Sequence, residues 1–136
     1  MRKAALDATS IGPATPAPTV QPPVDIDVAG VQQALGRKGT ADGGLFKCSI
    51  PRKDTIVEDG RILPPASLNL TTVVNFQPVG GGRAAINGGL QIVELQNHGL
   101  TEQPRLFYMH YWGVDDAVTL AKALRPALDA TNLRAA

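Results

Sequence analysis

Residues 90–113 (LQIVELQNHGLTEQPRLFYMHYWG) constrain the fold of this chain more than any other stretch. They contain two apolar segments of strand length, residues 90–97 and 105–112, and the polar residues GLTEQP join them. Two such segments with a short connection are typical of a β-hairpin. The second segment is apolar at successive positions, which predicts a central strand with both faces covered. Gly113 is expected to end it.

The flanking segments add further strands between two helices. Residues 68–76 alternate in polarity, as a half-buried antiparallel strand does. Residues 28–35, closed by Gly36, and a segment from Asp115 or Asp116 to about Ala130 carry apolar side chains at helical spacing. This order predicts an α+β fold, with one mainly antiparallel sheet of about five strands and helices packed on one face. Further strands are expected at residues 45–50, 55–57, 61–63 and 83–86, with Gly80–Gly82 as a hairpin turn.

Composition excludes several classes of partner. Thirteen basic and twelve acidic residues give a net charge of +1, so neither nucleic acid nor an anionic membrane is expected as the main partner. No apolar run is long enough to span a bilayer, and the start, MRKAALDATS, lacks the apolar region of a signal peptide. Cys48 is the only cysteine, which excludes an internal disulfide, and its apolar surroundings favour a small buried residue over a nucleophile.

The chain divides into three parts. Residues 10–27 contain five prolines and are expected to form an extended linker. Residues 28–136 are expected to form a single α+β domain. The sequence Leu-Asp-Ala-Thr of residues 6–9 recurs at residues 128–131. Residues 1–9 are therefore either an N-terminal helix that matches by chance or the tail of a preceding copy of the same domain.

The predicted hairpin brings several polar and aromatic side chains together. Alternate residues of a strand share a face. A hairpin through residues 99–104 would pair Glu94 with His110, and a one-residue slip would separate the two sets. The same register pairs Gln96 with Tyr108 and His98 with Leu106. The candidate ligand-lining residues are Glu94, Gln96, His98, Tyr108, His110 and Trp112.

Three roles for these residues stay open. His98, His110 and Glu94 offer two imidazoles and a carboxylate, which suit zinc or another divalent transition metal. The same histidines and carboxylate could act in acid–base catalysis, which requires a partner within hydrogen-bond reach. A purely structural or ligand-lining role is the third alternative, and it is the one that the apolar surroundings of His110 favour. Gly80–Gly82 with Arg83 lacks the following helix of a phosphate loop, which leaves the hairpin turn as its interpretation.

Six stretches of the chain carry distinctive motifs: residues 34–39, 46–54 (FKCSIPRKD), 75–87 (NFQPVGGGRAAIN), 97–98, 104–113 (PRLFYMHYWG) and 115–131. They resemble the LppY/LpqO family of bacterial lipoprotein-type domains, which has no established activity. The resemblance covers roughly residues 28–132, and it implies export and often two tandem copies. Family members carry a further strand and helix between the equivalents of Gly88 and Gly89, which are adjacent here. They also read His-Asn-His where this chain has Gln96-Asn97-His98, so the resemblance implies a weaker metal site.

These observations predict an extracytoplasmic binding or structural module that is not an enzyme. The alternative is a metal-binding protein or metal-dependent enzyme that uses His98, His110 and Glu94. Loss of the strand-and-helix segment would expose apolar sheet surface, which favours a homo-oligomer. A neighbouring repeat of the same family is the other expected partner.

Overall fold

The computed structural model describes residues 20, 22–65, 68, 70–97 and 99–135. The predictions for residues 1–9, for most of the linker and for His98 lie outside these residues. The helices are α1 (Val28–Leu35) and α2 (Ala117–Asp129). The strands are β1 (Thr40–Asp42), β2 (Leu45–Ile50), β3 (Val57–Glu58), β4 (Arg61–Ile62), β5 (Thr72–Gly80), β6 (Arg83–Gln96) and β7 (Tyr108–Asp116).

The architecture confirms the predicted α+β class. Five strands form one antiparallel sheet in the order β1-β2-β5-β6-β7, and β3 pairs with β4 in a separate hairpin. Phe46, Phe76 and Ile86 lie side by side across the three central strands. All three are buried in one cluster with apolar residues of both helices, so α1 and α2 cover the same sheet face. No described helix is both long and apolar enough to cross a membrane.

The two helices begin and end where their capping residues lie. The Asp27 side chain accepts a hydrogen bond from the Gly30 amide at 2.9 Å, which satisfies one of the free donors at the start of α1. Gly36 ends α1 in the left-handed conformation, at a φ of 62°. Asp116 caps α2 in the same way as Asp27 caps α1, through the Thr119 amide. The predicted α1 boundaries and the Asp116 cap are confirmed.

One predicted boundary in the sheet is wrong. Residues 83–86 and 90–97 form a single strand, β6, rather than two. The register against β7 shifts between Asn87 and Gln91, both of which pair with Trp112. An irregularity of this kind lets extra residues leave the ladder while the strand continues. The Asn-Gly-Gly sequence in that position therefore marks a bulge and not a turn.

The prediction that residues 105–112 form a central strand is also wrong. β7 begins at Tyr108, continues through Gly113 and lies at one end of the described sheet. Its large apolar side chains are half-exposed, with Met109 at 43% and Trp112 at 48%. The apolar composition of this strand thus reflects an uncovered surface rather than two buried faces.

A second, smaller apolar cluster lies beside the β3–β4 hairpin. Its buried members are Ile56, Leu70 and Leu106, and Tyr108 packs against them. The hairpin is tied to the β6–β7 connection by two backbone hydrogen bonds between Val57 and Gln103, of 2.9 and 2.7 Å. This cluster forms the support of the candidate site.

Candidate functional site

The β6–β7 hairpin has the register that the sequence predicted. Glu94 pairs with His110 and Gln96 pairs with Tyr108, so these four residues share one face of the sheet. Trp112 follows on the same face of β7, two residues beyond His110. His98, the sixth candidate, lies outside the described residues, and the functional role of the set stays a prediction.

His110 and Gln96 make a direct contact. The amide nitrogen Nε2 of Gln96 lies 3.3 Å from Nε2 of His110. This distance is within hydrogen-bond reach, and it joins Gln96 to one of the two ring nitrogens that could bind a metal ion. A metal ion at His110 Nε2 would therefore have to displace the Gln96 side chain.

The outer part of this face is open to solvent. Glu94 is exposed, His110 is half-buried and Trp112 has about half of its surface exposed. In the part of the chain that the structure describes, which omits His98, no three His, Cys, Asp or Glu side chains converge in a way that could hold a metal ion. The described residues alone thus form an aromatic and polar surface.

Tyr108 of this set also lines a pocket of about 230 Å³, which is called the pocket under Tyr108 below. Burial raises the pKa of the Tyr108 hydroxyl, with opposing contributions from the charge of Arg52, which lowers it, and of Glu102, which raises it. The hydroxyl is therefore neutral at physiological pH and can serve as a hydrogen-bonding group. The pocket walls are Ile56, Glu58, Leu63, Leu68, Leu70, Gly99, Glu102, Leu106 and Tyr108.

Glu102 is the buried charge of this pocket, with 2% of its surface exposed. Its carboxylate accepts from the Leu106 amide and from the Arg105 guanidinium, and both distances are 3.4 Å. Contacts of that length lie beyond the usual range of charge-assisted hydrogen bonds, which is about 2.7–2.9 Å. The carboxylate is thus enclosed by protein, and the hydrogen bonds it accepts from the described residues are long.

Glu58 is the second acid of the pocket wall. Its Oε1 accepts from the amides of Leu100 and Thr101, at 3.1 and 3.4 Å. The backbone of Gly99 lies against both carboxylates, so that a Cβ there would collide with Glu102. The two acids thereby fix the β6–β7 connection above the pocket.

Sequence reasoning missed both acids as site residues. Glu58 lies between the strands predicted at residues 55–57 and 61–63, and Glu102 lies in the predicted connection between two strands. An acidic residue in a polar loop is normally solvated, so neither position carries a sequence signal for burial. The only indication was indirect, because Glu102 lies within the six residues that separate the two most apolar strands.

Two other predictions concern residues away from this site. Cys48 is fully buried in the helix-covered core, and burial raises the pKa of its thiol to about 11. A thiol in that state is a poor nucleophile, as expected from its apolar surroundings. Gly80, Gly81 and Gly82 all have positive φ and join β5 to β6, which confirms the hairpin turn.

A family model described as Domain of Unknown Function (DUF1259) matches residues 29–90 and 83–130. Together the two matches cover residues 29–130, which run from the second residue of α1 to the end of α2. The chain belongs to this DUF1259 family. No curated protein and no solved structure matches the chain.

The two DUF1259 matches overlap at residues 83–90, inside β6. The same stretch contains the register shift between Asn87 and Gln91. The overlap of the two family matches therefore coincides with the irregular part of β6. All of the described candidate residues lie on the second match, whereas Glu58 lies on the first.

Proposed function

We propose that this DUF1259 domain is a non-enzymatic binding module of the LppY/LpqO type. Its ligand would occupy the pocket under Tyr108 and extend onto the face that carries His110 and Trp112. The observation that supports this proposal is the carboxylate of Glu102, which is buried in the pocket wall and, among the residues that the structure describes, accepts only two long hydrogen bonds. A buried charge is costly unless it is well paired, and a ligand that donates a hydrogen bond would improve its pairing.

The pocket selects the chemical class of the ligand. Both charged residues in its wall, Glu58 and Glu102, are acids, and the other side chains apart from Tyr108 are aliphatic. Such a wall favours a small apolar body that carries an ammonium or another strong donor. The volume of about 230 Å³ is below the usual range for drug-sized ligands, so the enclosed part is a single ring or short chain.

Benzylamine and benzyl alcohol test this proposal, because they share one ring and differ in charge. We expect benzylamine to bind about tenfold more tightly, as a hydrogen bond to a charged group is worth roughly 1.5–3 kcal/mol. Glu102→Gln should remove this preference, and Tyr108→Phe should weaken both probes. Calorimetric or NMR titration measures the affinities.

Asp25→Asn is the matched control, because Asp25 is an exposed acid that lies outside the candidate site and does not line the pocket. This variant should keep the preference for the amine. Equal affinity for the two probes, or an amine affinity that is unchanged in Glu102→Gln, would contradict the proposal.

Metal binding is the second candidate function, and the pairing of Glu94 with His110 favours it. With His98 these residues would supply two imidazoles and a carboxylate to zinc or a similar ion. The Gln96 amide competes for His110 Nε2, so affinity would be lower than with a histidine at that position. We therefore expect Gln96→His to increase zinc-induced thermal stabilisation, and Gln77→His, at an exposed position on β5, to leave it unchanged.

Elemental analysis of purified protein checks the same candidate directly. Metal at about one ion per chain, lost in His110→Ala, would support it. Absence of stoichiometric metal together with an unchanged melting temperature on adding zinc would rule it out. Support for acid–base catalysis by His110 and Glu94 would require the turnover of a substrate.

The parent protein, in this proposal, is exported and carries a second copy of the domain. The repeated Leu-Asp-Ala-Thr and the LppY/LpqO resemblance motivate this part. The native protein should then have an intact mass well above the 14.3 kDa of this chain and a location outside the cytoplasm. A native mass of 14.3 kDa would contradict the tandem arrangement.

We also propose that a strand-and-helix segment is naturally absent between Gly88 and Gly89. The divided family match and the irregular register of β6 at this position support it. Trypsin cleaves after Arg83 and Arg105 and at no residue between them, so the native protein should yield the peptide of residues 84–105. A longer peptide or extra fragments at this place would show that the segment is present.

A further inference from the structure

A second and larger cavity has no lining residue in common with the pocket under Tyr108. It is an open cleft of about 580 Å³ between the end of α1, the end of β2 and the C-terminal segment. Its volume falls within the range of small-molecule sites. Six of its lining residues matter for the binding chemistry: Gln32, Arg37, Lys38, Ile50, Pro51 and Ala135.

The charged side chains that line this cleft are both basic. Arg37 and Lys38 line it, and no acidic residue does. Neither side chain makes a hydrogen bond or ion pair with any residue that the structure describes, so both remain available to a ligand. The charge of Arg37 acts on one acid outside the cleft, Asp129, whose pKa is lowered by Arg125 and to a smaller extent by Arg37. Both oxygens of Asp129 already accept from Nε of Arg125 at 2.9 Å.

The backbone that carries these cations is held rigidly. The Arg37 amide donates to the Gln32 carbonyl at 3.2 Å, and the Gly39 amide donates to Oε1 of the same residue at 3.2 Å. Gly39 also lies so close to β2 that a Cβ would come within 2.6 Å of the Lys47 carbonyl. The segment of residues 36–39 is thus pinned to α1 on one side and to the sheet on the other.

Most of the accessible surface inside the cleft is apolar, and this part is called its floor. Its lining residues include Pro51 and the largely buried Ile50. Positive charge at the rim and apolar surface beneath it suit a molecule with an anionic head and a hydrocarbon body. A purely ionic ligand would leave the floor uncovered, and a neutral one would leave both cations unused.

We propose that this cleft binds an amphipathic organic anion, with its carboxylate or phosphate group at Arg37 and Lys38 and its apolar body on Ile50 and Pro51. Guanidinium and ammonium groups bind both kinds of anion, Arg in a bidentate manner and Lys as a point charge. This site is separate from the pocket under Tyr108 and does not depend on the function proposed for that pocket.

Four probes of matched size or charge test the proposal: octanoate, octyl phosphate, 1-octanol and acetate. NMR titration of the labelled chain should show saturable shifts at residues 36–38 and 50 with octanoate or octyl phosphate. The neutral alcohol and the short acid should bind at least about fivefold more weakly, since each lacks one of the two contributions. The tighter of the two long anions identifies the head group.

The variant Arg37→Gln/Lys38→Gln should weaken binding of the better anion by about tenfold or more. Arg83→Gln is the control, because Arg83 lies at the start of β6, pairs with Asp116 of β7 and does not line the cleft. It removes a positive charge but should leave the affinity unchanged.

Glu102→Gln should also leave octanoate binding unchanged, which separates this site from the Tyr108 pocket. Circular dichroism of each variant confirms that the fold is intact. Binding of 1-octanol as tight as that of octanoate would overturn the proposal, as would an anion affinity that is insensitive to the Arg37 and Lys38 substitutions.

Discussion

The two halves of the β6 strand lie in opposite environments. At its start, Ala84 and Ile86 are fully buried beneath α1 and α2. Near its end, Leu95 is 60% exposed, and Met109, its partner on β7, is 43% exposed. One continuous strand thus contributes to the stable core at one end and to an uncovered surface at the other. We infer that the helix-covered end determines stability and that the outer end is available for binding.

Core truncation should show the largest difference between the two ends. Phe76 is fully buried between β2 and β6, so Phe76→Ala removes an aromatic ring and leaves a cavity. We expect a loss of about 3–5 kcal/mol in the free energy of unfolding. Trp112→Ala removes a larger side chain that is half-exposed, and it should cost about 1 kcal/mol or less.

Urea denaturation of both variants measures this contrast. Similar losses for Phe76→Ala and Trp112→Ala would mean that the outer surface is covered in solution. The helix-covered and outer ends of β6 would then contribute similarly to stability.

The second prediction uses two glycines with nearly the same backbone conformation. Gly36 has a φ of 62° and Gly81 a φ of 61°, so alanine is strained at both positions. A Cβ at Gly36 would collide with the guanidinium of Arg125, which donates to the Leu35 carbonyl at 3.1 Å, whereas the space around Gly81 is open. Gly81→Ala should cost about 1–2 kcal/mol, and Gly36→Ala should cost more because it also displaces this link between the helices.

Thermal or chemical unfolding of the two alanine variants gives the difference directly. Equal destabilisation would show that the contact between Arg125 and α1 contributes nothing. The helix-covered end would then depend on apolar packing alone.

The sequence predicted the helix-covered part of the sheet far better than the uncovered part. Phe46, Cys48 and Ile50 alternate along β2, and their burial follows because a sheet face beneath helices imposes a period of two. On β7, the apolar residues Met109 and Trp112 suggested a buried strand, yet sequence composition does not record whether a neighbour covers a face. The pocket could not be predicted either, because Glu58 meets the amide of Leu100 across 42 positions of sequence.

A smaller effect is expected at Asp116, where the uncovered strand passes into α2. Hydrogen bonds from Thr119 lower the pKa of the Asp116 carboxyl group. Because the folded pKa lies below the unfolded one, this stabilisation is fully present above the ordinary pKa and is lost as the pH falls through the folded value. Asp116→Asn keeps a capping oxygen without the charge, so it should unfold more easily than wild type near neutral pH but not in strong acid.

Melting curves of wild type and Asp116→Asn across acidic pH test this expectation. If wild type still melts at a higher temperature than Asp116→Asn below the folded pKa, the stabilisation comes from cap geometry rather than from charge. The junction would then contribute to stability independently of pH.

The smallest effect on stability, and the most informative about the outer surface, is expected for Leu95→Ser/Met109→Ser. These side chains pair across β6 and β7 and are both exposed, so their loss should change the free energy of unfolding by about 0.5 kcal/mol or less.

If the uncovered surface supports a homo-oligomer, the same variant should abolish concentration-dependent association in sedimentation velocity. Val20→Ser, at another exposed apolar side chain, should leave association unchanged. A wild-type chain that stays monomeric at all concentrations would instead indicate that the exposed apolar residues of β6 and β7 serve a ligand or another partner, since contiguous surface of this kind is seldom left without one.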